Sequence, residues 1–491
     1  MHIKPITLAT LALSSMAATA GDRKPNVIYI LADDLGYGDV TSYNPNGKFH
    51  TPAIDSLASE GVSFTNAHTT SGVSTPSRYS ILTGRYNWRT KMQSGVLWSY
   101  DLPLINKERE TVASLMSENG YKTGIVGKWH LGLGWVKDAN GEINHNVKLT
   151  ESPSDNGFDY SYVMPASLDI PPYIYFENGK PTGNISRVTD GNPAPGFWRK
   201  GYIADDFDIQ DALYHFTDKA TDFIQENAAE PFFLYFPLTA PHSPILPDEK
   251  FAGKTISTYG DFVLMVDEVV RRVVSAVEKA GISENTMIVF TSDNGFAPAG
   301  DLQEQLSKGH NPVAGLRGHK ADIYEGGHRV PYIVKAPSLT TKTGVKVDAP
   351  ISQVGLFATM ADLVDAPIKK GVADDSESHL TAIIKGKQPS KLAKKPIVVH
   401  SHDGHFAIIM NDWKFCLTPG SGGWSYPRVG QEKLGSPDEQ LFNLAENRSE
   451  NSDFNLIDEE PEVANKLKEK LYEIVSIAPN DVKVVVDKTE R

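Results

Sequence analysis

Short continuous apolar runs alternate with amphipathic stretches along most of this chain. Residues 27–32 read VIYILA and are closed by Asp33-Asp34. Residues 122–126, 232–236, 287–292 and 331–335 repeat the pattern, and the run 287–292 stops at Asp293-Asn294-Gly295. Short unbroken apolar runs suit strands buried on both faces. Between them the apolar positions recur at helical spacing. Residues 52–60 predict a helix closed by Gly61, and 111–119 predict another, with Thr111 as N-cap and Gly120 just past its end. Residues 211–229 and 257–280 predict longer helices, the second closed by Gly281. Strand and helix in alternation predict an α/β fold: a large, mostly parallel sheet with helices on both faces.

The pattern changes near residue 386. A polar, basic stretch over 386–395 reads as a linker or surface crossing. Residues 396–400, 405–410 and 413–418 then predict short strands, with Asn411-Asp412 as the turn of an antiparallel hairpin. Residues 462–477 have helical periodicity. The expected organisation is a leader over 1–20, a large domain over 21–385, and a small antiparallel sheet with a packed helix over 386–491.

In open α/β sheets chemistry collects beyond the carboxyl ends of the strands. Asp33-Asp34, Lys128 and His130, His242, and Asp293-Asn294 all follow strand-like runs. The two oxygen-rich pairs suit a hard cation such as calcium, although either pair alone also suits a turn. No group of Cys and His has zinc spacing. The segment Ser74-Thr75-Pro76-Ser77-Arg78 reads as a helix start, because Pro76 fits the first turn. Position alone makes Ser74 an N-cap serine; the same helix start also attracts anions, with Arg78 one turn on.

Composition narrows the choice. The chain has 491 residues and a formal net charge of −13, which excludes a general nucleic-acid binder but leaves room for a local basic pocket. Residues 1–20 read as a signal peptide, ending in Ala18-Thr19-Ala20, so an exported protein, periplasmic or secreted, is expected. No later stretch approaches the ~20 apolar residues of a spanning helix. Cys416 is the single cysteine, which rules out an internal disulfide, and its apolar surroundings predict a buried structural thiol.

Six ordered motifs now add a resemblance. Ser74-x-Pro76-Ser77-Arg78 with Leu82-Thr83-Gly84-Arg85 resembles the signature of the formylglycine-dependent sulfatases, in its serine-type form. Residues 26–28 with Asp33-Asp34-Leu35-Gly36-Tyr37-Gly38-Asp39, and Gly127-Lys128-Trp129-His130-Leu131-Gly132, resemble further family segments. So do Pro241-His242-x-Pro244, Ser292-Asp293-Asn294-Gly295 and Tyr324-Glu325-Gly326-Gly327-x-Arg329-Val330-Pro331. The stretch Gln440-Leu441-Phe442-Asn443-Leu444 resembles the family's C-terminal subdomain, so the match runs from about residue 25 to about 455. The segment around Lys320, Gly318-His319-Lys320-Ala321-Asp322, is less glycine-rich than in many relatives.

The resemblance implies an alkaline-phosphatase-like fold and a sulfuric ester hydrolase. It implies that a maturation enzyme oxidises Ser74 to formylglycine, hydrated as a geminal diol. It implies that Asp33, Asp34, Asp293, Asn294 and residue 74 bind one calcium ion, that Arg78 steadies the diol, and that Lys128, His130, His242 and Lys320 surround the sulfate. In that scheme a diol oxygen attacks sulfur, His242 protonates the leaving alcohol with Lys320 nearby, and His130 takes a proton from the second hydroxyl.

Residues 165–179, beginning Pro165-Ala166-Ser167-Leu168-Asp169, resemble a segment of bacterial carbohydrate sulfatases that act on N-acetylgalactosamine sulfate. Asp169, His310, Arg317, His319, His402 and His405 are candidate substrate contacts, each equally compatible with a surface role. The leading expectation is exo-acting desulfation of chondroitin- or dermatan-type oligosaccharides, with sulfated algal galactans of carrageenan type as the alternative. A phosphatase or phosphodiesterase of the same superfold, and a non-catalytic glycan-binding relative, are the rival classes.

Overall fold

The computed structural model describes residues 24–475. The leader expected over 1–20 lies outside the described residues, as does the end of the helix expected over 462–477. The strands, in chain order, are β1 (Asn26–Asp33), β2 (Val62–His68), β3 (Lys122–Lys128), β4 (Tyr160–Met164), β5 (Phe176–Glu177) and β6 (Lys180–Pro181). They continue as β7 (Ile185–Thr189), β8 (Gly201–Ala204), β9 (Phe232–Pro241), β10 (Thr286–Ser292), β11 (Arg329–Lys335), β12 (Val345–Val347) and β13 (Ile351–Ser352). The last four are β14 (Ile397–His400), β15 (Phe406–Met410), β16 (Trp413–Cys416) and β17 (Gln440–Asn443).

Among the described residues the large sheet has 11 strands, in the order β12-β2-β11-β10-β1-β9-β3-β4-β5-β6, with β13 on β2. From β10 to β4 the pairings are parallel, and antiparallel neighbours flank that centre. All eight residues of β1 are buried, which is what an unbroken apolar run between two parallel neighbours requires. Helices α1 (Pro52–Ser59), α2 (Ser74–Thr83), α3 (Val112–Glu118), α4 (Ala212–Glu226) and α5 (Thr258–Lys279) flank the sheet. Helices α1, α4 and α5 pack together, and α2 and α3 pack with the helix Leu356–Leu363. Thr111 accepts from the Ser114 amide and Ser257 from the Gly260 amide, so both N-caps act as the sequence predicts.

Strands β14 to β17 form a four-stranded antiparallel sheet covered by the helix Pro461–Val475. Asn411 sits at φ 58° in the hairpin turn between β15 and β16. Cys416 is buried in this sheet, and burial pushes its thiol up to about 12, so it is an inert packing residue. No helix among the described residues is long and apolar enough to cross a membrane.

Candidate active site

The chain places its chemistry at one edge of the large sheet. Asp33 ends β1 and Asp34 follows it; Asp293 and Asn294 follow β10; Lys128 ends β3; His242 follows β9. Two close approaches make this possible. Gly127 has φ 124°, and a Cβ there would lie 1.9 Å from the Pro237 carbonyl oxygen, so only glycine lets β3 deliver Lys128 beside β9. A Cβ on Gly295 would lie 1.9 Å from the Gly326 carbonyl oxygen, which fixes the turn after Asn294. Asp34 and His130 hold left-handed backbone, with φ 69° and 61°, as the chain leaves β1 and β3.

Ser74 differs from the N-cap expectation. Val73 occupies the cap and Ser74 is the first helical residue of α2, so its hydroxyl turns toward the strand ends instead of closing its own helix. It lies 3.4 Å from Asp33 Oδ1, 3.5 Å from Asn294 Oδ1 and 3.4 Å from Lys128 Nζ. Lys128 Nζ donates to both Asp33 oxygens at 2.9 and 2.7 Å. Lys320 Nζ donates to Asp34 Oδ2 at 2.8 Å, so the unusual segment around it still delivers the ammonium. Asn294 Nδ2 donates to Asp34 Oδ1 at 2.8 Å.

Arg78 serves the carboxylates more directly than residue 74. Its Nε and Nη2 donate to Asp293 Oδ2 at 3.1 and 2.7 Å, its Nη1 donates to the Lys128 carbonyl at 3.2 Å, and Nη2 lies 3.5 Å from Asp33. Three carboxylates (Asp33, Asp34, Asp293) thus meet three cations (Arg78, Lys128, Lys320) with almost no solvent exposure. Burial pushes the Asp33 carboxyl up, but Lys128, His242 and Arg78 together hold it below the ordinary range. Burial likewise opposes ionisation of Asp34, and Lys320 and His242 outweigh it. Lys128 is lowered by burial despite Asp33, whereas Lys320 is raised because Asp34, Asp33 and Asp293 together outweigh burial.

The two histidines are held differently. His130 Nε2 contacts the Leu97 carbonyl at 2.8 Å, while its buried Nδ1 has no hydrogen-bond partner. Burial, then the cations Lys128 and Arg78, push its pKa well below the usual range, so the ring is neutral. His242 Nδ1 donates to the Ser243 carbonyl at 2.7 Å, which leaves Nε2 facing Asp34 Oδ2 at 3.6 Å. Asp33, Asp34 and His242 bring ligand atoms within 4.8 Å of one another, close enough to share a metal ion.

A family model described as Sulfatase matches residues 25–366. The chain belongs to the sulfatase family. The chain is 34% identical to an N-acetylgalactosamine-6-O-sulfatase of Bacteroides thetaiotaomicron, over 92% of this chain and 93% of that protein. It is 30% identical to human arylsulfatase A, over 77% and 72%. A solved 6S-sulfatase structure, from a study of glycosaminoglycan metabolism by Bacteroides thetaiotaomicron, superimposes with a TM-score of 0.81 at 32% identity, covering 92% of this chain and 99% of that one. A protein crystallised with a neocarrahexaose superimposes with a TM-score of 0.70 at 27% identity, over 92% and 93%. The sulfatase is accordingly a sulfuric ester hydrolase, on a fold shared with its relatives and of a family that works through formylglycine and a metal ion.

The candidate substrate contacts scatter. Asp169 reaches the site, with Oδ1 3.9 Å from His242 Nδ1. His310 does not: it is buried, bonded through Nε2 to Asp39 at 2.8 Å and through Nδ1 to the Lys48 amide at 3.1 Å, and stacked on Phe49. It is a core histidine with no surface for a ligand. Arg317 stacks on Tyr324 and donates to the Glu450 carbonyl at 2.9 Å, which makes it a brace between segments. His319 Nδ1 contacts the Lys320 carbonyl at 2.9 Å and orients the lysine segment. His402 pairs with Asp403 and packs against Trp424, whose ring lies 5.9 Å from Lys320 Nζ, so it stands on the rim. His405 is half-buried two residues past Asp403, and its pKa is lowered by burial. Sequence reasoning missed Arg199, which pairs with Asp169, and Trp98 beneath it.

Proposed function

We propose that this sulfatase is an exported enzyme that removes a sulfate ester from N-acetylgalactosamine in chondroitin- or dermatan-type oligosaccharides, acting on the terminal sugar. The observation that carries the reading is a helix-start serine held among three paired carboxylates and three cations. The relatives named for N-acetylgalactosamine 6-sulfate support the sugar and favour the 6-position. Sulfated galactans are the second reading, supported by the neocarrahexaose-bound neighbour.

The donor set fits one calcium ion: Asp33, Asp34, Asp293 and Asn294 offer hard oxygen ligands beside residue 74, and the ion would supply positive charge for a sulfate oxygen. Oxidised to formylglycine by a maturation enzyme and hydrated, residue 74 would carry two hydroxyls on one carbon, one to attack sulfur and one to drive release of sulfate. The remaining steps fall to this chain's own residues. Lys128 and Lys320 provide fixed charge where negative charge spreads in the transition state. His242 Nε2, aimed at the centre, gives its proton to the departing sugar oxygen. Neutral His130 presents Nδ1, free and dry, as proton acceptor. Arg78 holds Asp293 and the end of β3 in register with both.

The test assays matured protein on a panel of defined sulfated oligosaccharides and phosphate esters, alongside mass analysis of the peptide containing residue 74. Expected are loss of two hydrogens at Ser74 and release of sulfate, but not phosphate, from N-acetylgalactosamine 6-sulfate. Full activity with unmodified Ser74 would make direct serine attack of phosphatase type the better reading.

A further inference from the structure

Beside the reaction centre lies a group of side chains that the catalytic scheme leaves unused. Arg199, just ahead of β8, donates through Nη1 to the Asp169 carboxylate and, at 3.2 Å, to the Asp169 carbonyl. Its guanidinium carbon sits 5.2 Å from the centroid of the Trp98 ring and 5.1 Å from that of Phe197. These groups are not hidden. The side chain of Arg199 is 39% exposed, and Trp98 and Phe197 are 52% and 37% exposed. Large aromatics left open to water around one braced cation mark a surface kept for a ligand.

Asp169 ties that surface to the chemistry. One of its oxygens is taken by Arg199. The other, Oδ1, is buried, has no hydrogen-bond partner and lies 3.9 Å from His242 Nδ1. The imidazole that faces the ester oxygen is therefore in contact with a carboxylate that has a spare acceptor. On the reading above, a sugar whose departing oxygen meets His242 brings its ring beside this pair, because Asp169 Oδ1 lies 3.9 Å from His242 Nδ1. A carboxylate acceptor beside guanidinium donors complements a sugar hydroxyl, which both gives and takes a hydrogen bond. The spare Asp169 oxygen repels a uronate at that point, so a neutral hydroxyl is the matching group. The flat faces of Trp98 and Phe197 suit the C–H face of a pyranose.

We propose that the Asp169–Arg199 pair, flanked by Trp98 and Phe197, binds ring hydroxyls of the sugar that carries the scissile sulfate, and so sets which sugars are accepted. This rests on the carbohydrate sulfatase reading above. The experiment compares the matured wild type and Arg199→Ala on methyl N-acetylgalactosaminide 6-sulfate and on its 3-deoxy and 4-deoxy analogues. The wild type should lose roughly 30-fold in kcat/KM on one of the deoxy sugars, chiefly through KM. Arg199→Ala should lose a similar factor on the parent sugar but less than about threefold more on that same deoxy sugar, because the bond is already gone. Arg199→Ala losses of equal size on parent and deoxy sugars would make Arg199 a structural brace and overturn the proposal. So would a wild type that treats both deoxy sugars like the parent, a result that needs no variant to fold. A matured enzyme that desulfates no sugar in the set, yet cleaves aryl sulfates, would instead bring down the carbohydrate reading on which the proposal stands.

Discussion

The sulfatase holds two buried networks of charge, and they are built to different ends. At the strand ends, Asp33, Asp34 and Asp293 meet Arg78, Lys128 and Lys320. Between the two sheets, Glu325 and Glu450 meet Lys414 and Arg329: Lys414 Nζ lies 2.7 Å from Glu450 and 3.1 Å from Glu325, and Arg329 Nε lies 2.5 Å from Glu325. His68 and His328 complete the second network, their Nδ1 atoms 3.0 Å apart. Both networks balance their formal charges. The first leaves capacity unused around it, in a serine hydroxyl with long contacts, the bare His130 Nδ1 and the spare Asp169 oxygen, whereas the Glu450 Oε1 of the second, which makes no hydrogen bond, still has Lys414 Nζ at 2.7 Å. In the second, Arg329 and Lys414 hold Glu325 well below the usual range against burial, and burial keeps both histidines neutral, His68 at about 3. A network whose groups satisfy one another is a joint; one with unmet acceptors and an open rim is a site.

The sharpest way to break this contrast is to empty the first network. Asp293→Ala and Ser74→Ala should each abolish sulfate release while the protein stays folded, and exhaustive chelation should do the same until calcium is restored. Full turnover in Asp293→Ala, or after chelation, would sink the calcium assignment. A smaller loss is expected from His242→Ala: about 10²-fold or more on sugar sulfates, and much less on aryl sulfates, whose leaving groups need little protonation. Equal losses on both would make His242 a binding residue or shift the acid role to Lys320.

The second network should answer in stability. Lys414→Met leaves two buried carboxylates facing each other and should cost about 3–5 kcal/mol in denaturant unfolding, with no change in the kcat of the folded fraction. An altered kcat there would mean that the joint reaches into the chemistry. The smallest expected effect is a pH trend. Burial raises Glu450 to about 7, above its unfolded value of about 4.5. The folded state therefore binds the extra proton, and this contribution to stability is complete below about 4.5 and lost as pH rises through about 7. Glu450→Gln should flatten that slope, worth on the order of 2 kcal/mol across the window, as unfolding midpoints at pH 5 and pH 7.5 would report.

Much of the first network was legible in the sequence, because each member follows an apolar run or an N-terminal helix signal. The strand before Asp33 and the caps at Thr111 and Ser257 follow from local rules that nothing in the tertiary structure overrides. Strand β2 was not legible: it reads VSFTNAH, too polar for an unbroken run, and gains its place from pairing with β11. His310 misled because a histidine's environment is set by partners far along the chain, here Asp39 and Phe49. Arg199 was silent for the same reason, since its partners Asp169 and Trp98 lie 30 and 101 residues away. The only local hint was the aromatic run Phe197-Trp198 just ahead of it. The Glu325 and Arg329 of the signature gave away their spacing but not their task, which depends on Lys414 arriving from the other sheet.

The left-handed turns at Asp34 and His130 carry a thermal consequence. Each backbone conformation is unfavourable by about 1 kcal/mol for a residue with a side chain, and the surrounding core enforces both before any substrate arrives. The backbones that carry Asp34 and His130 are therefore already oriented, and little reorganisation energy is left for the proposed reaction. Warming should loosen the rim around Trp98 and Trp424 well before it disturbs these two bends, so affinity for the sugar should fade at a lower temperature than the intrinsic rate of sulfate release.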